Sequence, residues 1–233
     1  MLIVFLLRWN ESRRVNFVKY EKFGIEIPAD YAIHGIDVSR YQLNIRWNRV
    51  KKMNVENIRI GFAFIKATEG EGLMDPYFRK NWREAEKHKV TRGVYHFFSP
   101  KKDAVKQARF FIKNVKLKPG DLPPVLDIET TGNVSPGMLK AKAMAWLKVV
   151  EDHYGVKPII YTYVDFYKKH LGEEFDEYPL WIAHYYQKHR PRISRNWVLW
   201  QHNDRGNVDG ITSKVDFNVF NGDSIAFREF LIK

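Results

Sequence analysis

The sequence predicts an α/β barrel built from a single chain of 233 residues, closed by about eight strands, of which the last three lack crossover helices. Three observations carry this prediction. From Ile33 onward, short runs rich in Val, Ile, Phe and Tyr alternate with longer segments of helical period, the pattern of parallel strands joined by right-handed crossovers. The helical periods then drop out of the last third of the chain while the strand-like runs continue. No strand is followed by a phosphate-binding glycine fingerprint, which leaves the open doubly wound sheet with little support.

Ile33 to Val38 is the first strand, followed by a short helix near Trp47 to Met53. Phe62 to Thr68 is the second, and Asp75 to Lys89 after it sets Phe78, Trp82 and Ala85 on one helical face. Gly93 to Phe98 is the third, and the helix from Asp103 spaces Val105, Ala108, Ile112 and Val115 along one side. Pro124 to Ile128 is the fourth. Its helix has Ser135 as N-cap and Pro136 at the first position, buries Leu139, Ala143, Trp146 and Val150, and stops at Gly155. Lys157 to Tyr163 is the fifth strand, trailed by a short helix through Leu171. Pro179 to Tyr185, Trp197 to His202 and Val215 to Phe220 read as strands joined by segments too short or too polar for packed helices.

The front of the chain lacks this rhythm. Leu2 to Leu7 is apolar but ends at Arg8, short of the roughly 20 apolar residues of a membrane span and of the about 7 to 15 of a signal core. Arg8 to Tyr31 is polar and basic with no clear period. Residues 1–32 therefore read as an arm or linker, its apolar run a candidate remnant of a membrane anchor, and residues 33–233 as the barrel. Lys and Arg total 39 against 27 Asp and Glu, a formal charge of +12 that points to an anionic partner such as nucleic acid, acidic lipid or a wall polymer. These basic residues are scattered and gather into no arginine-rich helix, which argues against nucleic acid. The absence of Cys excludes disulfides, thiolate metal sites and a cysteine nucleophile.

Barrel enzymes carry their chemistry at the carboxyl ends of strands, and here those ends hold carboxylates: Asp37, Glu69, Asp127 with Glu129, and Asp216 in the last strand. In PPVLDIE (Pro123 to Glu129), strand alternation points Asp127 and Glu129 to one face and Leu126 and Ile128 to the helix layer. Two carboxyl groups in one site repel when both are ionised, which raises the proton affinity of one and makes a general acid. Such a pair is the usual equipment for glycosidic bond cleavage. Asp37, Asp127, Glu129 and Asp216 could equally hold Mg²⁺ or Ca²⁺, and a pair at a strand end could instead cap a helix or pair with Lys. His96 and His184 lack paired helical spacing and read as hydrogen-bonded wall residues. Tyr95, Tyr161, Tyr163, Trp181, Tyr185 and Trp200 add rings near the same mouth, and their coincidence with the acids favours a carbohydrate ligand.

The stretches GIDVSRYQ (Gly35 to Gln42), FAFIKATEG (Phe62 to Gly70), GVYHFFSP (Gly93 to Pro100), PPVLDIE, LWIAHY (Leu180 to Tyr185), WVLWQ (Trp197 to Gln201) and VDFNVFNG (Val215 to Gly222) resemble the lysozymes of glycoside hydrolase family 25. The likeness runs in order over nearly all of the chain from about residue 33. It implies a flattened, TIM-like (β/α)5(β)3 barrel and cleavage of the β-1,4 bond between N-acetylmuramic acid and N-acetylglucosamine, with net retention. It makes Glu129 the proton donor and Asp127 its partner, with Asp37 and Asp216 lining the cleft. Glu69, Tyr95, Tyr161, Tyr163, Trp181, Tyr185 and Gln201 become expected substrate contacts. The front, residues 1–32, matches nothing in the family pattern, and no repeat module for wall binding follows the barrel.

The resemblance calls for no cofactor and no resident metal. Peptidoglycan is the implied partner of a monomer acting outside the cytoplasm, without nucleic acid and without stable insertion of this chain in a membrane. Two alternatives from other classes stand beside it: a metal-dependent phosphoesterase or deacetylase on the same barrel, and a wall-binding barrel without turnover.

Overall fold

The computed structural model describes residues 14–233, and the Leu2 to Leu7 run lies outside the described residues. The chain opens with a hairpin, β1 (Phe17–Tyr20) and β2 (Ile25–Pro28), then enters the barrel with β3 (His34–Val38) and helix α1 (Trp47–Lys52). A two-residue strand β4 (Asn54–Val55) precedes the long β5 (Ile58–Glu69), which β6 (Leu73–Met74) extends before α2 (Phe78–Lys87). β7 (Thr91–Phe97), α3 (Ala104–Asn114), β8 (Val125–Asp127), α4 (Pro136–Tyr154), β9 (Ile159–Tyr163) and α5 (Val164–His170) complete the alternating part. β10 (Leu180–Ala183), β11 (Leu199–Gly206) and β12 (Val215–Phe220) follow, and α6 (Ser224–Phe230) ends the chain.

Eight strands close the barrel in the order β3, β5, β7, β8, β9, β10, β11, β12, and β12 pairs back onto β3. The pairs from β3 through β11 are parallel, whereas β12 runs antiparallel to both neighbours. The start of β12 thus lies at the same rim as the carboxyl ends of the other seven strands. Alternation divides the apolar residues into two cores. Phe62, Phe64, Trp181 and Leu199 pack inside the barrel, while Ile36, Ile65, Val94, Leu126 and Ile160 face outward. The inner rings fit because glycine lies beneath them: a Cβ on Gly35 would come within 2.3 Å of Phe62, and one on Gly93 within 2.3 Å of Phe64. The helices form as their caps dictate. Ser135 accepts from the Met138 N–H ahead of Pro136, Asp103 accepts from the Lys106 N–H, and Gly155 ends α4 at φ 69°.

Two elements differ from the sequence expectation. Between residues 8 and 31 the sequence shows no period, yet β1 and β2 pair from Phe17 opposite Pro28 to Tyr20 opposite Ile25, with Gly24 at φ 68° in the turn. Strands this short give alternation too few positions to register, but their packing is extensive. Phe23 and Ile27 are fully buried, the Phe23 ring lies 5.4 Å from Phe217, and Phe17 meets Trp200 edge-on at 5.9 Å. The hairpin covers the outer face of β11 and β12, the strands that have no crossover helix of their own. Residues 15–31 therefore contribute to the core, ahead of the sequence-based boundary at residue 33. The second difference is α6, seven residues capped by Asp223, whose Phe227 ring sits 5.7 Å from Phe62 and 5.1 Å from Phe220 and closes the far end of the barrel.

Candidate active site

At the carboxyl rim residues from all eight strands, most of them polar, enclose a cavity of about 260 Å³. Its floor is Trp181, stacked 4.6 Å from Phe64, with the tilted ring of Tyr161 at 4.5 Å. Asp37, next to last in β3, lies directly opposite Asp216, the second residue of β12, so these two carboxyl groups share one side. Asp127 ends β8 opposite Phe97 on one neighbour and Tyr161 on the other, and Glu129 follows two residues later on the same face.

The sequence motifs account for how these groups are held. In GIDVSRYQ, Ser39 and Gln42 form a capping box around a tight turn, Gln42 ties that turn to the Lys214 carbonyl at 2.9 Å, and Tyr41 projects over the cavity. Asp37 Oδ2 accepts from Gln201 Nε2 at 2.8 Å and from Asn218 Nδ2 at 2.7 Å. Each amide is itself oriented: Gln201 Oε1 accepts from the Tyr161 and Tyr185 hydroxyls, both at 2.6 Å, and Asn218 Oδ1 accepts from Trp181 Nε1 at 2.8 Å. This network fixes Asp37 from both sides. Asp127, 6% exposed, has no such support, and its Oδ1 lacks a hydrogen-bond partner among the described residues.

Burial and mutual repulsion push every carboxyl group here upward. Asp37 rises to about 6, raised by burial and held back by its two amide donors. Asp216 rises to about 9 through burial and the charge of Asp37. Burial raises Asp127 well above the carboxylate range, with Glu129 adding to it, and burial also raises Glu129 against the Tyr161 hydroxyl and Lys66. Asp127 and Glu129 therefore both hold their protons to higher pH than an ordinary carboxyl group, and the charge of Glu129 adds to the rise at Asp127.

Of the expected contacts, Tyr95, Tyr161, Trp181, Tyr185 and Gln201 line the cavity with the four acids. Tyr163 lies in an adjoining groove that also borders Glu129, His184 and Tyr185. Glu69 is absent from the lining and instead binds Lys66 Nζ at 2.8 Å. Trp200 points outward into the hairpin contact, and His96 faces the helix layer between Thr68 and Gln107, stacked 5.4 Å from Trp146. Sequence reasoning missed Ser39, Tyr41, Lys66 and Phe97 in the lining. Lys66 was readable in principle, because the alternation that turns Phe62 and Phe64 inward carries it inward too.

With this geometry in place, comparison with known proteins gives a consistent result. The family described as Glycosyl hydrolases family 25 matches residues 36–211. Protein YegX of Escherichia coli (strain K12) is 52% identical over 202 residues, covering 87% of this chain and 74% of YegX. Lysozyme M1 of Streptomyces globisporus is 32% identical over 212 residues, covering 84% of this chain and 70% of that enzyme. Among solved structures, a family 25 glycosyl hydrolase from Bacillus anthracis superposes with a TM-score of 0.79 at 34% identity, over 86% of this chain and 94% of that one. A bacterial lysozyme from Streptomyces coelicolor gives 0.77 at 29% identity, over 85% and 96%. On this match across barrel, rim and motifs, the chain belongs to glycosyl hydrolases family 25 and is a glycoside hydrolase.

Proposed function

We propose that the protein is a retaining N-acetylmuramidase that cuts the β-1,4 bond from N-acetylmuramic acid to N-acetylglucosamine in peptidoglycan, outside the cytoplasm. The observation that carries this reading is the placement of Asp127 and Glu129 together in the cavity, with Asp127 Oδ1 buried and unpartnered among the described residues. A buried acceptor of this kind suits the N–H of a sugar acetamido group. In the first step the acetamido oxygen attacks the anomeric carbon while Glu129 passes its proton to the leaving oxygen, giving an oxazolinium. Asp127, as the carboxylate, meets the positive charge that develops, and the proton that leaves the pair is the one Glu129 gives to the leaving oxygen. Glu129 then takes a proton from water as that water opens the ring, which restores the starting configuration and the acid. Asp37 and Asp216 grip the sugar and shape the field.

Glu129→Gln keeps the shape of the side chain but cannot donate the proton, and turnover should fall by about 10² to 10⁴ with the fold intact by circular dichroism. A substrate de-N-acetylated at the cleaved muramic residue should keep most of its binding and lose turnover, since the missing group acts chiefly in the transition state. Normal cleavage of that substrate, together with a glycosyl adduct trapped on an aspartate, would replace the acetamido nucleophile with an enzyme one. Unimpaired hydrolysis by Glu129→Gln would remove Glu129 from its role.

A further inference from the structure

We infer that Lys66 is a positioning residue of this reaction: its ammonium, tethered by Glu69 at the rim of the barrel, sets how many protons the Asp127–Glu129 pair carries. The inference rests on the reading of that pair as the working carboxyl groups. Lys66 is the sole basic side chain among the described residues that line the cavity. Its side chain is 14% exposed, a costly place for an ammonium unless anions repay the lost hydration.

The route of the side chain shows which anions it serves. Lys66 leaves β5 on the inner face, opposite Tyr95 of β7, and its Nζ lies 2.8 Å from Glu69 Oε2 and 4.7 Å from the centre of the Phe97 ring. Phe97 is in turn the strand partner of Asp127, and Lys66, Asp127 and Glu129 line the same cavity. One carboxylate would suffice to neutralise it. Instead, while Glu69 holds it on its own strand, it shares the cavity with Asp37 from β3, Tyr41 from the turn after β3, Tyr95 from β7, Asp127 and Glu129 from β8 and the residues after it, and Asp216 from β12. Its charge opposes burial at Asp127, Glu129 and Tyr41 alike.

The balance follows from counting charges. Without the ammonium, burial would hold both members of the pair neutral, and no carboxylate would meet the oxazolinium. A cation with no counter-ion would favour ionisation of both, and no acid would remain for the leaving oxygen. An ammonium shared with Glu69 lies between these cases and leaves one proton on two groups.

The test is the pH profile of kcat/KM on solubilised peptidoglycan chains, for wild type and three variants. Lys66→Met should move both limbs of the bell upward by about 1 pH unit or more. Lys66→Arg keeps the charge and should leave the limbs at their wild-type positions even where the rate falls. Glu69→Gln removes the tether's negative charge and should move both limbs downward. Limbs of Lys66→Met that coincide with wild type would overturn the inference, and so would an upward shift in Glu69→Gln. If Lys66→Met does not fold, unmoved limbs in Lys66→Arg and downward-shifted limbs in Glu69→Gln carry the test. A wild-type protein that releases no muramic-terminated fragments would instead overturn the functional reading.

Discussion

Asp216 enters the cavity from the start of β12, opposite Asp37, and holds its proton up to about pH 9 because burial and that neighbour disfavour its charge. Its ordinary value is 3.8, so from there upward an unfolded chain releases a proton that the native one retains. The native state then binds more protons, and its stability falls as pH rises toward 9. Asp216→Asn removes this penalty. The variant should melt several degrees above wild type at pH 8, nearly match it at pH 4, and lose activity. Calorimetry at the two pH values decides it: a lower melting temperature at pH 8 alone would show that the carboxylate stabilises the fold. At this scale the acids were legible, since alternation and strand ends place Asp37, Asp127 and Glu129 without further help. Lys66 was missed although the alternation of β5 places it inward with Phe62 and Phe64, because a lysine in a strand ordinarily faces water. Glu69 sits just beyond a register irregularity between Lys66 and Thr68, where simple alternation stops being a guide.

The hairpin of β1 and β2 is the element whose role was hardest to see in advance. Crossover helices cover the outer faces of the earlier strands, but β11 and β12 present Trp200, Phe217 and Val219 outward; no helix follows β11, and α6 after β12 packs its Phe227 on Phe62 and Phe220 instead. Phe23 and Ile27 fill that place. Truncating a fully buried Phe costs about 3 to 5 kcal/mol, so Phe23→Ala should lower the melting temperature by roughly 10 °C. The specific activity of the folded fraction should hold, since Phe23 packs on the outer face of β12. A change below about 2 °C would mean that the hairpin is peripheral to the fold. Long periodic segments such as α4 announce themselves in the sequence by cap, stripe and stop. Four-residue strands and the seven-residue α6 do not, because packing partners distant in sequence decide them.

For the whole molecule, the antiparallel return of β12 is what turns a β/α barrel into this site. It closes the ring while delivering Asp216 and Asn218 to the rim from the opposite chain direction, which places Asp216 across from Asp37. The sequence made the strand count and the missing late helices readable, but chain direction in the last strand depends on closure and leaves no local trace. No helix among the described residues is long and apolar enough to cross a membrane. The net charge of +12 suits a polymer bearing carboxylates. Bond specificity is tested most directly by mass spectrometry of borohydride-reduced fragments after the protein digests purified peptidoglycan. Fragments whose reduced end is N-acetylmuramic acid should be released by wild type and not by Glu129→Gln; fragments ending in reduced N-acetylglucosamine, or the same release from both proteins, would contradict muramidase action through Glu129.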